Sequence, residues 1–256
     1  MLSKNQIKHI NSLKIGKFRR IFKQFLLEGK KSVYDLLNSD FEIIEIYALK
    51  YWIDENIVIL ENKKIEFQEI NEKELSRISS QKTPNDVIAI VKIPINEIIP
   101  KNIFSGLCLV LDEIKDPGNL GTIIRTADWF GIENIICSKN SVDVYNPKVV
   151  QATMGSITRV KVYYTQLSDF LSSKPSETKI FGTMLEGENI YKTELIENAI
   201  ILIGNESQGI SSELLPMIDE KISIPKGSKN FQSQAESLNA SIATAIICSE
   251  FQRRKI

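Results

Sequence analysis

Six short apolar runs dominate residues 105–256: Leu107 to Leu111, Asn134 to Cys137, Val160 to Tyr164, Ile180 to Met184, Ile200 to Ile203 and Ile222 to Ile224. Each has the length and composition of a strand, and helical stretches lie between several of them. Buried runs alternating with helices predict a parallel sheet covered on both faces. In such sheets ligands bind at the loops leaving the carboxyl ends of the strands. Four of those loops, Asp112 to Gly121, Leu185 to Asn189, Gly204 to Gly209 and Pro225 to Ser237, hold most of the Gly, Pro and short polar residues of this half.

The first 95 residues read differently. From Lys8 to about Leu27, Ile10, Leu13, Ile15, Phe18, Ile21, Phe22, Phe25 and Leu26 recur near helical spacing, interrupted by Gly16, which predicts a basic amphipathic helix or helix pair. Ser32 to Leu37 reads as a further short helix. Ile43 to Leu49 and Ile57 to Ile59 read as strands, and Ile88 to Ile93 as a buried strand after the turn signal Thr83-Pro84-Asn85. Together they predict a small α/β domain, 1–95, joined by a linker, 96–104, bracketed by Pro94 and Pro100, to a second domain, 105–256.

The 256 residues carry 32 Lys+Arg against 32 Asp+Glu, a balance that on its own argues against a simple polyanion binder. The neutrality is a cancellation. Lys4, Lys8, Lys14, Lys17, Arg19, Arg20, Lys23, Lys30 and Lys31 face only Glu28 in the first 31 residues, whereas Asp35 to Glu74 is strongly acidic. A basic leading segment fits either a nucleic-acid contact or a solvated helix face. It is Lys-rich rather than Arg- and Ser-rich, unlike a transit peptide, and no apolar core of signal-peptide length follows it. No run is long enough to span a membrane, so the chain reads as soluble and cytoplasmic. Cys108, Cys137 and Cys248 each sit in an apolar run and are expected to be buried, reduced thiols. With His9 the single histidine, neither a metal site nor a His-dependent nucleophile is expected.

The loop Asp112-Glu-Ile-Lys-Asp-Pro-Gly-Asn-Leu-Gly121 opens a helix that runs to Phe130. It matches neither G-x-G-x-x-G nor the P-loop pattern, so a dinucleotide-dependent oxidoreductase or a triphosphate site is disfavoured. Arg125, in the first turns of that helix, is either a bidentate clamp for a phosphate or carboxylate or an ordinary surface or paired arginine. In Gly204-Asn-Glu-Ser-Gln-Gly-Ile210, Glu206 stands at a strand's carboxyl end, where it can accept hydrogen bonds. Beyond Pro225 a polar stretch leads into a helix for which Ser237 is the expected N-cap.

In this order the loops resemble the signature of the SpoU (TrmH-type) RNA ribose 2′-O-methyltransferases. The first motif is matched by Asp116-Pro-Gly-Asn-Leu-Gly-Thr-Ile-Ile-Arg-Thr-Ala127, the second by Ile203-Gly-Asn-Glu-Ser-Gln-Gly-Ile210, and the third by Ile224-Pro225 with Glu236-Ser-Leu-Asn-Ala-Ser241. Asn146 to Ser156 is similar to the family's segment after the third strand. Ser3-Lys-Asn5, Phe25 to Gly29 and Lys82-Thr-Pro84 are similar to its N-terminal RNA-binding module. The loop Lys226 to Ala235 is longer than the family's usual link.

The resemblance implies an α/β fold with a C-terminal trefoil-knotted methyltransferase domain, S-adenosylmethionine as cofactor and a homodimer. It places Gly204, Asn205, Ile224 and Leu238 around the cofactor, with Thr183 nearby, and Asn119, Arg125, Glu206, Ser237 and Asn239 at the polar catalytic positions. RNA contact is expected at Lys14, Lys17, Arg19, Arg20 and Lys23 and at Arg125, which would anchor phosphate and polarise the ribose 2′-oxygen. Ribosomal RNA is the expected substrate. The alternatives are a tRNA ribose 2′-O-methyltransferase and a non-catalytic RNA-binding or assembly factor on the same scaffold.

Overall fold

A computed structural model describes residues 1–95, 99–227 and 236–253 of the chain. Two units result, one of Met1–Ile95 with Asp143–Arg159, the other of Asn96–Val142 with Val160–Ile256. The first begins with α1 (Lys4–Ser12), α2 (Gly16–Phe22), β1 (Gln24–Glu28), α3 (Lys30–Leu37), β2 (Ile43–Ala48), α4 (Lys50–Asn62), β3 (Phe67–Glu69), α5 (Glu72–Ile78) and β4 (Val87–Lys92). Its sheet runs β1-β4-β2-β3, antiparallel except where β3 lies beside β2. Capping boxes start α1, between Ser3 and Gln6, and α5, between Asn71 and Glu74, each satisfying two otherwise orphaned backbone donors.

Two expectations for this unit are corrected. The helical pattern expected to reach Leu27 stops at Phe22, where Lys23 turns left-handed (φ 53°) and the chain enters β1. Phe25, Leu26 and Leu27 are all buried; a strand covered on both faces has no alternation, so it prolonged the apparent helical run. Ile57 to Ile59, expected as a strand, lies within α4. There the buried side chains are Trp52, Ile53 and Leu60, at helical spacing, and Val58 is 69% exposed. Three consecutive β-branched residues favour a strand locally, but a helix alone puts Trp52, Ile53 and Leu60 on one face.

The second unit follows with β5 (Leu107–Leu111), α6 (Pro117–Trp129) and β6 (Asn134–Ser138). After β6 the chain passes through α7 (Pro147–Thr153), which belongs to the first unit, and then continues as β7 (Lys161–Thr165), α8 (Leu167–Ser172), β8 (Lys179–Asn189), β9 (Ala199–Ile203), β10 (Glu220–Ser223) and α9 (Ala240–Arg253). All six predicted runs are strands, in the order β10-β8-β9-β5-β6-β7, and every neighbouring pair is parallel. The chain leaves β5 toward β6 and β7 on one side and returns to fill β8, β9 and β10 on the other. The carboxyl ends of β5 and β9 therefore form a topological switch point. One sheet face packs Cys108, Val110, Ile136, Ile180, Ile200 and Leu202 with Leu167, Phe170 and Leu171 from α8 and its start. Burying each large side chain contributes about 1.5–3 kcal/mol. Cys108, Cys137 and Cys248 are buried and free, and burial pushes the thiols of Cys108 and Cys248 up to about 12 and that of Cys137 higher still. None of the helices described is long and apolar enough to cross a membrane.

The segment Asp143–Arg159, placed by sequence in the second domain, packs within the first unit. Tyr145 lies against Phe25 with ring centroids 4.6 Å apart, and Arg159 pairs with Asp35 at 3.1 Å. Arg19 adds a buried, charge-assisted tie. Its Nε and Nη2 donate to Asp143 Oδ2 at 3.0 and 2.7 Å, and its Nη1 donates to the carbonyls of Leu13 and Lys14 at 3.1 and 3.0 Å. With 3% exposure, Arg19 is an internal clasp, which corrects its assignment to the RNA-contacting face. Lys14 is also turned inward, donating from Nζ to the Ser79 carbonyl at 2.7 Å, and burial lowers its pKa. Lys17, Arg20 and Lys23 remain exposed. Of the expected linker, residues 96–98 lie outside the described residues, and Lys101–Phe104 forms a 3₁₀ turn with Ile103 buried.

Candidate active site

The loops after β5 and β9 meet at the switch point and are stitched together. The Asp112 N–H donates to the Ile203 carbonyl at 2.8 Å, and the Ser211 N–H donates to Asp112 Oδ2 at 2.8 Å. Asp112, 3% exposed, shapes the site although it stands outside the three motifs; its signal in the sequence is an acid immediately after a fully apolar run. The second loop closes as a tight hairpin in which Asn205 and Gly209 exchange backbone hydrogen bonds of 3.0 and 2.8 Å. Gly209 supplies the positive φ of 72°. Gly204 is pressed so closely on the backbone of Gly209 and Ile210 that a Cβ there would overlap it.

Asn205 ties this hairpin to the loop after β5. Its Nδ2 donates to the Glu113 carbonyl at 2.9 Å, and its Oδ1 accepts from the N–H groups of Ser207 and Gln208. Its side chain therefore builds the loop and shapes the site.

The loop after β5 leads into α6, which is capped by Asp116, whose Oδ1 accepts from the Asn119 N–H at 2.8 Å, with Pro117 at the first helical position and Gly118 and Gly121 inside the helix. That places Asn119 in the first turn, 8% exposed. Its Nδ2 donates to Glu206 Oε1, and its Oδ1 accepts from Asn239 Nδ2 at 2.8 Å. Three of the five expected catalytic residues thus form one chain, from segments far apart in sequence.

The direction of this chain follows from helix capping. Asn239 Oδ1 accepts from the N–H groups of Ser241 and Ile242 at 3.0 and 3.3 Å and from Ser241 Oγ at 2.6 Å. An amide nitrogen cannot accept from backbone donors, so the Asn239 nitrogen must face Asn119. The Asn119 oxygen then faces Asn239, and its nitrogen faces Glu206. Glu206 is held as an acceptor by groups oriented from the amino end of α9.

Asn239, not Ser237, is the N-cap of α9. The helix starts at Ala240, and Ser237 lies exposed two residues upstream of the cap. Among the described residues no hydrogen bond joins Ser237 to the chain of Asn239, Asn119 and Glu206. Ser241, 6% exposed, braces the capping amide through its hydroxyl.

Arg125 lies further along α6, exposed, and no described residue pairs with its guanidinium. Thr183 lies where β8 leaves register with β10, whose partners jump from Gly182 to Glu188 between Lys221 and Ile222. Ile224 follows β10 and Gly204 follows β9, so these three expected cofactor residues come from the adjacent strands β10, β8 and β9. Thr183 and Ile224 are half-buried, and Leu238 is 46% exposed. Residues 228–235 of the long loop lie outside the described residues.

Comparison with known proteins agrees with this geometry. Residues 106–249 match the model of the SpoU rRNA methylase family, and residues 4–89 match an MRM3-like substrate-binding domain. The chain is 28% identical over 249 residues to the 23S rRNA (guanosine(2553)-2'-O)-methyltransferase RlmP of Bacillus subtilis, covering 96% of this chain and 95% of that protein. Among solved structures it is similar to a TrmH-family protein of Porphyromonas gingivalis, with TM-score 0.85, 37% identity and 99% of each chain covered. It is also similar to an AdoMet-bound rRNA methyltransferase of Sinorhizobium meliloti, with TM-score 0.86 and 29% identity, covering 100% of this chain and 97% of that one. The family match spans more than half of the chain and contains the whole chain of Asn119, Glu206 and Asn239: this protein belongs to the SpoU rRNA methylase family.

Proposed function

We propose that this protein transfers a methyl group from S-adenosylmethionine to a ribose 2′-hydroxyl of ribosomal RNA. The observation that carries the reading is the directed hydrogen-bond chain from Asn239 through Asn119 to Glu206 at the switch point, within a family whose relatives are named as 23S rRNA 2′-O-methyltransferases. The residues present fit the cofactor: Thr183, Ile224 and Leu238 offer apolar and hydroxyl-bearing walls for a purine nucleoside, and Gly204 keeps the hairpin backbone beside them free of a side chain. When bound, S-adenosylmethionine supplies an electrophilic methyl on a sulfonium.

The chain's own residues must position the nucleophile. Arg125, exposed and without a protein partner among the described residues, is suited to grip an RNA phosphate bidentately and to polarise the 2′-oxygen. Glu206, fixed as an acceptor, orients polar groups at the same loop. Lys17, Arg20 and Lys23 give the first unit its cationic RNA-facing surface. A homodimer is part of this reading, supported by Trp129, 84% exposed on α6, and Ile242, 52% exposed on the helix α9 that packs against α6. The trefoil knot is likewise proposed, supported by the non-sequential strand order and the return of α9 to α6. The proposed site of action is the cytoplasm, where the ribosomal RNA is.

The test is incubation with isotopically labelled methyl donor and total RNA from cells lacking the endogenous enzyme, followed by ribose-methylation mapping. Label at a single 23S rRNA ribose is expected. Label confined to tRNA would reverse the substrate assignment, and no label in any RNA would overturn the enzyme reading.

A further inference from the structure

The leading basic segment carries large apolar side chains in the open. Ile15 is 55% exposed, Ile21 58% and Phe22 42%. A purely solvated cationic face gains nothing from them, and a purely apolar protein interface gains nothing from the cations around them.

Phe22 is also braced. The His9 ring meets it edge-on, with centroids 4.8 Å apart and planes at 76°, and Phe18 lies nearly parallel at 6.3 Å. His9 is itself fixed by a 2.8 Å hydrogen bond between Nε2 and Gln24 Oε1. The ring is thus held in place with one side open. Lys17 and Arg20 precede it on α2, and Lys23, left-handed at φ 53°, follows it directly. All three are exposed, and among the described residues none forms an ion pair. The nearest acid in sequence, Glu28, is engaged by Ser79 and Ser80.

A braced aromatic ring on a short helix whose remaining cations, Lys17 and Arg20 on its other side and Lys23 just after it, form no ion pair among the described residues matches a ligand that joins a π-surface to a chain of negative charges. That is an unpaired nucleotide, because in a duplex the base faces are already covered. We propose that Phe22 stacks an unpaired nucleobase of the RNA while Lys17, Arg20 and Lys23 hold phosphates further along the same strand. The inference rests on the rRNA reading above and specifies it: the first unit captures a single-stranded element.

The experiment measures binding of the full chain to two probes, a mixed-sequence single-stranded 12-mer RNA and a 12-base-pair RNA duplex, across a salt series. Phe22→Leu is expected to weaken single-strand binding by about 5- to 150-fold, the loss typical of one stacked base, and to leave duplex binding and the salt slope unchanged. Phe22→Trp should restore affinity and add tryptophan quenching on binding beyond that of wild type. Replacing Lys17, Arg20 and Lys23 together with Gln should flatten the single-strand salt slope by about 2. Equal single-strand binding by wild type and Phe22→Leu, or an equal loss for single strand and duplex, would overturn the stacking assignment. A protein that methylates rRNA yet shows either result loses this inference alone. One that shows the Phe22 effects but methylates nothing loses the enzyme reading alone.

Discussion

Replacing Asp143 with Ala should destabilise the first unit, although Asp143 stands far beyond residues 1–95 in sequence. The carboxylate accepts two charge-assisted bonds from Arg19, whose side chain is 4% exposed, and removing it leaves a buried guanidinium with only the Leu13 and Lys14 carbonyls. Breaking a fully buried pair in this way costs about 3–5 kcal/mol. The Asp143 side chain is 39% exposed, so solvent screens part of the interaction, and about 2 kcal/mol is the discounted expectation. Asp143→Asn keeps an acceptor in the same place without the charge and should cost about half as much.

The chain offers a probe for each unit. Trp52, 3% exposed, reports on the first and Trp129 on the second, so a Trp129→Phe background leaves Trp52 as the single tryptophan. With a urea m-value of about 2 kcal/mol/M, the Trp52 midpoint should fall by about 1 M for Asp143→Ala. A shift below about 0.2 M would refute the argument that Arg19 clasps this segment.

Three further outcomes are expected. In the native protein Cys108, Cys137 and Cys248 should resist an aqueous thiol reagent at neutral pH and react on denaturation, since burial both shields them and raises their pKa; fast labelling of native protein would contradict this. Backbone hydrogen bonds from Leu2 and Asn71 hold Glu74 below the usual carboxylate range, so its stabilisation is full above the unfolded-state pKa and is lost as pH falls through the lower folded value. Glu74→Gln should therefore be less stable than wild type at neutral pH, with the gap closing on acidification; urea midpoints at a series of pH values measure it. Gly204→Ala should abolish S-adenosylmethionine binding by calorimetry with little loss of global secondary structure, because the added Cβ overlaps the backbone of Gly209 and Ile210 and forces the hairpin open; tight binding by the variant would refute the close-contact role.

The parts of the fold that sequence made legible are those where local pattern and tertiary environment agree. The six runs from Leu107 to Ile224 are strands because each is too short for a buried helix and is bounded by turn residues, and the parallel sheet follows from the helices between them. The polar site was legible as motif resemblance: Asn119, Glu206 and Asn239 stand in loops, or at the helix starts that follow them, which a parallel sheet brings to one end. Local pattern misled where both faces of an element are covered, as at Phe25 to Leu27, or where β-branched residues ride on a helix's open side, as at Val58.

Other assignments existed only in the tertiary structure. Arg19 and Lys17 are indistinguishable as cations in a basic helix; one becomes an internal clasp solely because Asp143, 124 positions away, arrives beside it. Ser237 and Asn239 are both good capping residues, and the start of α9 decides between them. Through that choice it sets which way each amide in the site points. Residue types and their spacing along the chain select which side chains could carry the chemistry. Only the fold decided their partners and directions, because hydrogen-bond orientation and the burial of a charge depend on groups that the chain brings together from segments far apart.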